Sequence, residues 1–131
     1  MSHVYIRFVT ETIDKYSCRR QGVFQAAGEL VDINELPAHD LEQLLDNRNW
    51  FNRHLARPDR FSRSRRTNAA PKAICWFKNM ATEHIRRVRW ICRILDEHGA
   101  PTEMITSARP GYIVFEDEHQ VAAVPFAETA T

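Results

Sequence analysis

Two groups of arginines, each with an aromatic ring among them, are the side chains of this sequence best suited to act on another molecule. Arg57, Arg60, Arg63, Arg65 and Arg66 crowd around Phe61 in the stretch RPDRFSRSRRTNAAP. Guanidiniums so close together could neutralise several phosphates of a nucleic acid while the ring stacks on an unpaired base. The run favours neither DNA nor RNA, and no helix-turn-helix, zinc-finger, RNP or KH pattern accompanies it. The blander alternative is a solvated loop whose charge offsets acidic residues elsewhere. The second group is Arg86, Trp90 and Arg93 with Glu83 and Glu97, recurring at intervals of three and four, with Arg89 beside them. On a helix these share one polar side, so an indole stands among guanidiniums, the residue types enriched at binding hot spots. Trp90 is then either an exposed anchor or a ring roofed over by its own chain.

Other chemistries find less support. His3, His39, His54, His84, His98 and His119 include no pair at the i, i+4 spacing of a helical zinc site, and Cys18, Cys75 and Cys92 form no CxxC. No metal and no cofactor is expected. There is no GxSxG, Walker loop, GxGxxG or HExxH, and neither Cys75 nor Cys92 has an evident base partner, so no catalytic set is assigned. If distant groups converge on an active site, Arg7, Tyr112, His84 and His119 are the polar residues from which it would be built.

The elements that must position these residues show in the hydrophobic pattern. Val4 to Val9 alternates, with Val4, Ile6 and Phe8 on one side and Tyr5 and Arg7 on the other, the period of a half-buried strand. GVFQAAGEL predicts a short helix through Val23, Ala26, Ala27 and Leu30, and Pro37 opens a second that runs to a stop before Pro58. A basic loop at about 56–70 follows. The spacing then predicts one long helix from Pro71 to His98, with Ile74, Phe77, Ala81, Ile85, Val88, Ile91, Cys92 and Leu95 as its apolar stripe and Gly99 as its stop. TEMITS, GYIVFE and QVAAVPF predict a three-strand antiparallel meander. The expected fold is α+β: a small antiparallel sheet of the N-terminal strand plus this C-terminal meander, packed by one long amphipathic helix and two shorter ones.

With 131 residues, 44% apolar and 27% charged, the chain matches a single globular domain, 1–131, with one core. No apolar run is long enough for a bilayer and no signal peptide precedes the first strand, so a cytoplasmic protein with reduced cysteines is expected. From Arg48 to Lys72 eight basic residues face a single acid, Asp59, whereas after Ala100 five acids face Arg109 alone. The charge is a dipole along the sequence.

The runs GVFQAAGEL, KAICWFKNMATEHI and RPGYIVFEDEHQVAAVPF resemble a type of small bacterial protein with no assigned function. The resemblance implies a bacterial or mobile-element origin and supplies no activity, cofactor or site. From the residues themselves, the expectation is a non-enzymatic binding or regulatory module whose basic loop and Arg86, Arg89, Trp90, Arg93 face engage an acidic protein surface. Nucleic acid is the second choice of partner and a small enzyme the third reading. A two-layer domain of this size can leave one sheet face open, which makes a symmetric dimer a candidate assembly.

Overall fold

Strand β1, Tyr5–Ile13, is the element through which the others are joined. The protein is represented by a computed structural model that describes residues 4–15, 18–56 and 73–131. The expected basic loop, with Arg57, Arg60, Phe61, Arg63, Arg65 and Arg66, lies outside the described residues. Along the chain, β1 is followed by β2 (Arg20–Gly22), α1 (Val23–Ile33), α2 (Ala38–His54), β3 (Ile74–Lys78), α3 (Thr82–Glu97), β4 (Thr102–Ser107), β5 (Tyr112–Glu116) and β6 (Gln120–Val124). The α+β class with an antiparallel sheet is therefore as expected, and Asn34, in the left-handed region, ends α1.

Two details differ from the pattern-based expectation. The helix predicted from Pro71 begins only at Thr82, because Ile74–Lys78 is a central strand lying between β1 and β6. A central strand is apolar on both faces, so ICWFK is a continuous apolar run in which Ile74 and Phe77 mimic helical spacing. The C-terminal strands do not form a simple meander either. β5 and β6 make a hairpin, but β4 pairs along β1, from Tyr5 opposite Ser107 to Thr10 opposite Thr102.

That pairing forces the sheet to curl. β4 and β5 lie at opposite ends of the order β4-β1-β3-β6-β5, yet only five chain steps separate Ser107 from Tyr112. Five steps reach about 18 Å at most. Four strand spacings in a flat sheet cover about 19 Å sideways, before adding roughly 16 Å for the length of a five-residue strand. The edges can be joined only if the sheet rolls up, and the core confirms it: Ile105 of β4 and Ile113 of β5 pack against the same cluster of Tyr5, Ile74, Trp76 and Val121. The helices cover the convex face, where Phe8 and Phe77 meet Val88, Ile91, Cys92 and Leu95 of α3 and Leu44 and Phe51 of α2. Both faces of β1 are consequently buried, Arg7 included. Among the described residues, the sheet around β1 and β3 is covered on both faces, while β4 keeps exposed positions such as Met104.

One edge of β1 is shared. β4 occupies the other edge throughout, so β3, opposite Tyr5 and Ile6, and β2, opposite Val9 and Ile13, must divide this one between them. The Val4 carbonyl accepts from the Asn79 N–H on this edge. Alternation along a strand therefore turns the backbone of Ile6, Phe8 and Thr10 the same way. Pairing with β3 stops at Ile6 and pairing with β2 starts at Val9, which leaves the Phe8 N–H facing a split.

Gly111 closes the roll. Its φ is +136° and a Cβ placed on it would lie 2.1 Å from the Val124 carbonyl oxygen, a backbone atom that cannot step aside. Gly111→Ala should lower unfolding free energy by more than about 2 kcal/mol in urea titration. Gly28→Ala, in α1 with nothing within 4 Å of the added methyl, should raise it by about 0.5–1 kcal/mol. Equal effects of the two changes would contradict this account of the closure.

Candidate functional site

The polar side of α3 arises because its apolar stripe, Val88, Ile91, Leu95 and their neighbours, turns toward the sheet and the other helices. Opposite that stripe Trp90 is 38% exposed, with the Arg93 guanidinium 5.3 Å above its ring. Its neighbours are partly engaged. Arg86 and Arg87 both donate to Glu83, which holds that carboxyl down at about 2, and Arg93 donates to Glu97 at 3.3 Å. Arg89 reaches instead to the Met104 sulfur at 3.8 Å, across to β4. Met104 is itself 45% exposed. Arg89, Arg93, Cys92 and Met104 line a shallow groove of about 440 Å³ between α3 and β4. Four of the expected site residues, Arg86, Arg89, Trp90 and Arg93, are thus together on one accessible face, and Met104 joins them from a strand that carried no sign of it in the sequence.

The four residues considered for catalysis do not gather in one place. His84 and His119 meet, their rings stacked at 4.2 Å, but Arg7 lies at the split in the sheet and Tyr112 is exposed at the start of β5. The histidine pair is structural in character. The His84 Nε2–H donates to the His54 carbonyl at 2.9 Å, and Trp50 packs edge-on against its ring at 4.8 Å, with Phe51 and Phe77 beyond. No nucleophile of the described residues is hydrogen-bonded to it. Burial pushes the His84 imidazole below its usual range, the His54 carbonyl opposes this, and the facing His119 adds to it.

A second concavity lies at the split itself. It measures about 490 Å³ and is reached between β2, the start of α1 and the end of α2 on one side and β3 on the other. Ala56 and Ala73, where the described chain leaves off and resumes, both line it. Among its lining residues is Arg7, only 7% exposed, whose guanidinium donates to the main-chain oxygens of Arg20 and, at 3.3 Å, of Thr131. Trp76 is also part of the wall, and its Nε1–H is buried with no partner among the described residues. Nothing in the sequence signalled this site, because it is made by a gap in strand pairing. Elsewhere, Asp40, Glu97 and His98 bring three potential metal-binding atoms within 4.8 Å of one another, and the His98–Asp40 contact of 2.8 Å there ties the start of α2 to the end of α3.

Fold and sites together define an α+β domain with helices on the convex side of a rolled antiparallel sheet, an arginine–tryptophan helix face and a cavity at a split strand edge. Comparison of the chain with protein-family models, characterised proteins and solved structures gave no match.

His84 makes stability depend on pH. The folded chain keeps it neutral below the pH at which an unfolded histidine protonates, so the unfolded state binds a proton that the folded state does not, and stability falls as pH drops below about 6.5. The urea midpoint of the wild type should therefore decrease between about pH 7.5 and about pH 5.5. His84→Gln, whose side-chain amide can still reach the His54 carbonyl, should show a smaller decrease. An unchanged pH response in the variant would remove His84 as the cause.

Proposed function

We propose that this chain is a non-enzymatic binding or regulatory module, working in the cytoplasm, that engages an acidic protein surface through the Trp90 face of α3. The observation that carries this reading is the indole itself: a large ring at the centre of a polar helix face, 38% exposed and overlaid by an arginine. A tryptophan so placed leaves apolar area in water that a partner can remove, and rings of this kind dominate binding energy when desolvated. Met104 and the groove beside Arg89 and Arg93 extend the contact area toward β4.

Charge has a secondary role in this reading. Glu83 and Glu97 already engage Arg86, Arg87 and Arg93, so these arginines would have to exchange carboxylates of their own helix for those of a partner. Exposed pairs are held weakly enough in water for that exchange. Arg89 has no such carboxylate contact among the described residues, its guanidinium meeting a thioether. The basic run from Arg57 to Lys72 would add long-range attraction and hasten encounter.

Trp90→Ala combined with Arg89→Ala should leave the urea midpoint close to that of the wild type, because neither side chain belongs to a core cluster, and should weaken partner capture by about a hundredfold. Cross-linking mass spectrometry on the captured complex should place the contacts on α3 and β4. Undiminished capture would put the binding surface elsewhere. Fluorescence anisotropy with a labelled single-stranded oligonucleotide separates the nucleic-acid alternative, for which log affinity must fall linearly with log salt.

A further inference from the structure

The cavity at the split of β1 has no part in the binding reading above, and its composition is that of a ligand site. Its volume of about 490 Å³ is in the ordinary range for small-molecule pockets. Most of its wall is apolar, with Phe8, Leu44, Phe51 and Phe77 continuous with the main core. Among the described residues, the charged groups that line it are Arg7, Arg20 and Arg48 against Asp14. Arg20 is already ion-paired to Glu103 at 2.7 Å, and Asp14 accepts from Gln25 at 3.3 Å.

We propose that this cavity binds a small monoanionic molecule with an apolar body, its acid group set against the guanidiniums of Arg7 and Arg48 and its body among the phenylalanines and Leu44. Arg7 is suited to the task by being fixed. Two of its five N–H donors are used by the main-chain oxygens of Arg20 and Thr131, which orient the fork and leave donors over for an acid's oxygens. Burial lowers its pKa only to about 10, so it remains cationic at neutral pH. A buried guanidinium with donors to spare gains from an anion that enters beside it, since low-dielectric surroundings strengthen that attraction. A cationic ligand of the same shape would meet repulsion there.

Cys75 offers a reporter inside the cavity. It lines the wall and is reached by solvent, yet surrounding protein raises its thiol to about 11. Labelling by a small disulfide reagent should consequently be slow and measurable by mass spectrometry, while exposed Cys18, in the turn before β2, serves as control.

Decanoate, an alkyl carboxylate, is the probe. It should slow Cys75 labelling by about tenfold or more with Cys18 unaffected, while decyltrimethylammonium, with the same tail and opposite charge, should not protect. Arg7→Gln should weaken decanoate binding by about tenfold, and Arg48→Gln, on the exposed side of α2, should weaken it severalfold even if loss of Arg7 prevents folding. Protection by both detergents alike, no protection by decanoate up to its solubility limit, or a Cys75 that never reacts in the free protein would each overturn the proposal.

Discussion

The short connection between β4 and β5 is the constraint on which this molecule depends. Chain length alone makes it impossible for Ser107 and Tyr112 to serve opposite edges of a flat sheet, so the sheet rolls and encloses Tyr5, Trp76 and Val121. Gly111 permits the turn by letting the backbone meet Val124 without a Cβ between them. Because the concave face is consumed by its own closure, the three helices of the described residues pack on the convex face. Because α3 lies against β1 and β3 there, its opposite side, with Trp90, is left to solvent.

The same geometry accounts for the split. β1 is nine residues long and β3 five, and β3 continues directly through a turn at Asn79 and Met80 into α3. It pairs with only the first residues of β1, and β2 takes the far end. The gap between them is bordered by the first turn of α1 and the last turns of α2, whose side chains form walls without filling it. A buried arginine at such a place would be costly without acceptors, and the main-chain oxygens of Arg20 and Thr131 supply them. The Trp76 indole N–H is buried beside this gap with no partner among the described residues.

Much of the architecture was legible in the sequence, for reasons that also explain what was not. Ala26, Ala27 and Leu44 sit at helical spacing on surfaces that face one way, so α1 and α2 emerge with correct positions. Ile74–Lys78 defeated the same reasoning because a strand buried on both faces loses its period of two. The burial of Arg7 was equally hidden, since alternation in β1 announces one apolar face and cannot announce that the second will be rolled inward. Trp90, Arg86, Arg89 and Arg93 were found because a helix fixes the relation between positions three and four apart. Met104 and the cavity depend on contacts between elements far apart in sequence, which no local pattern records.

Amide hydrogen exchange along β1, resolved residue by residue, tests the split edge most directly. With β3 pairing at Ile6 and β2 at Val9, the account predicts strong protection for Ile6 and Thr10 and exchange at Phe8 faster by about a hundredfold or more, although all three amides point the same way. Uniform protection through Ile6, Phe8 and Thr10 would mean that this edge is continuously paired and that the split, with the cavity built on it, does not exist.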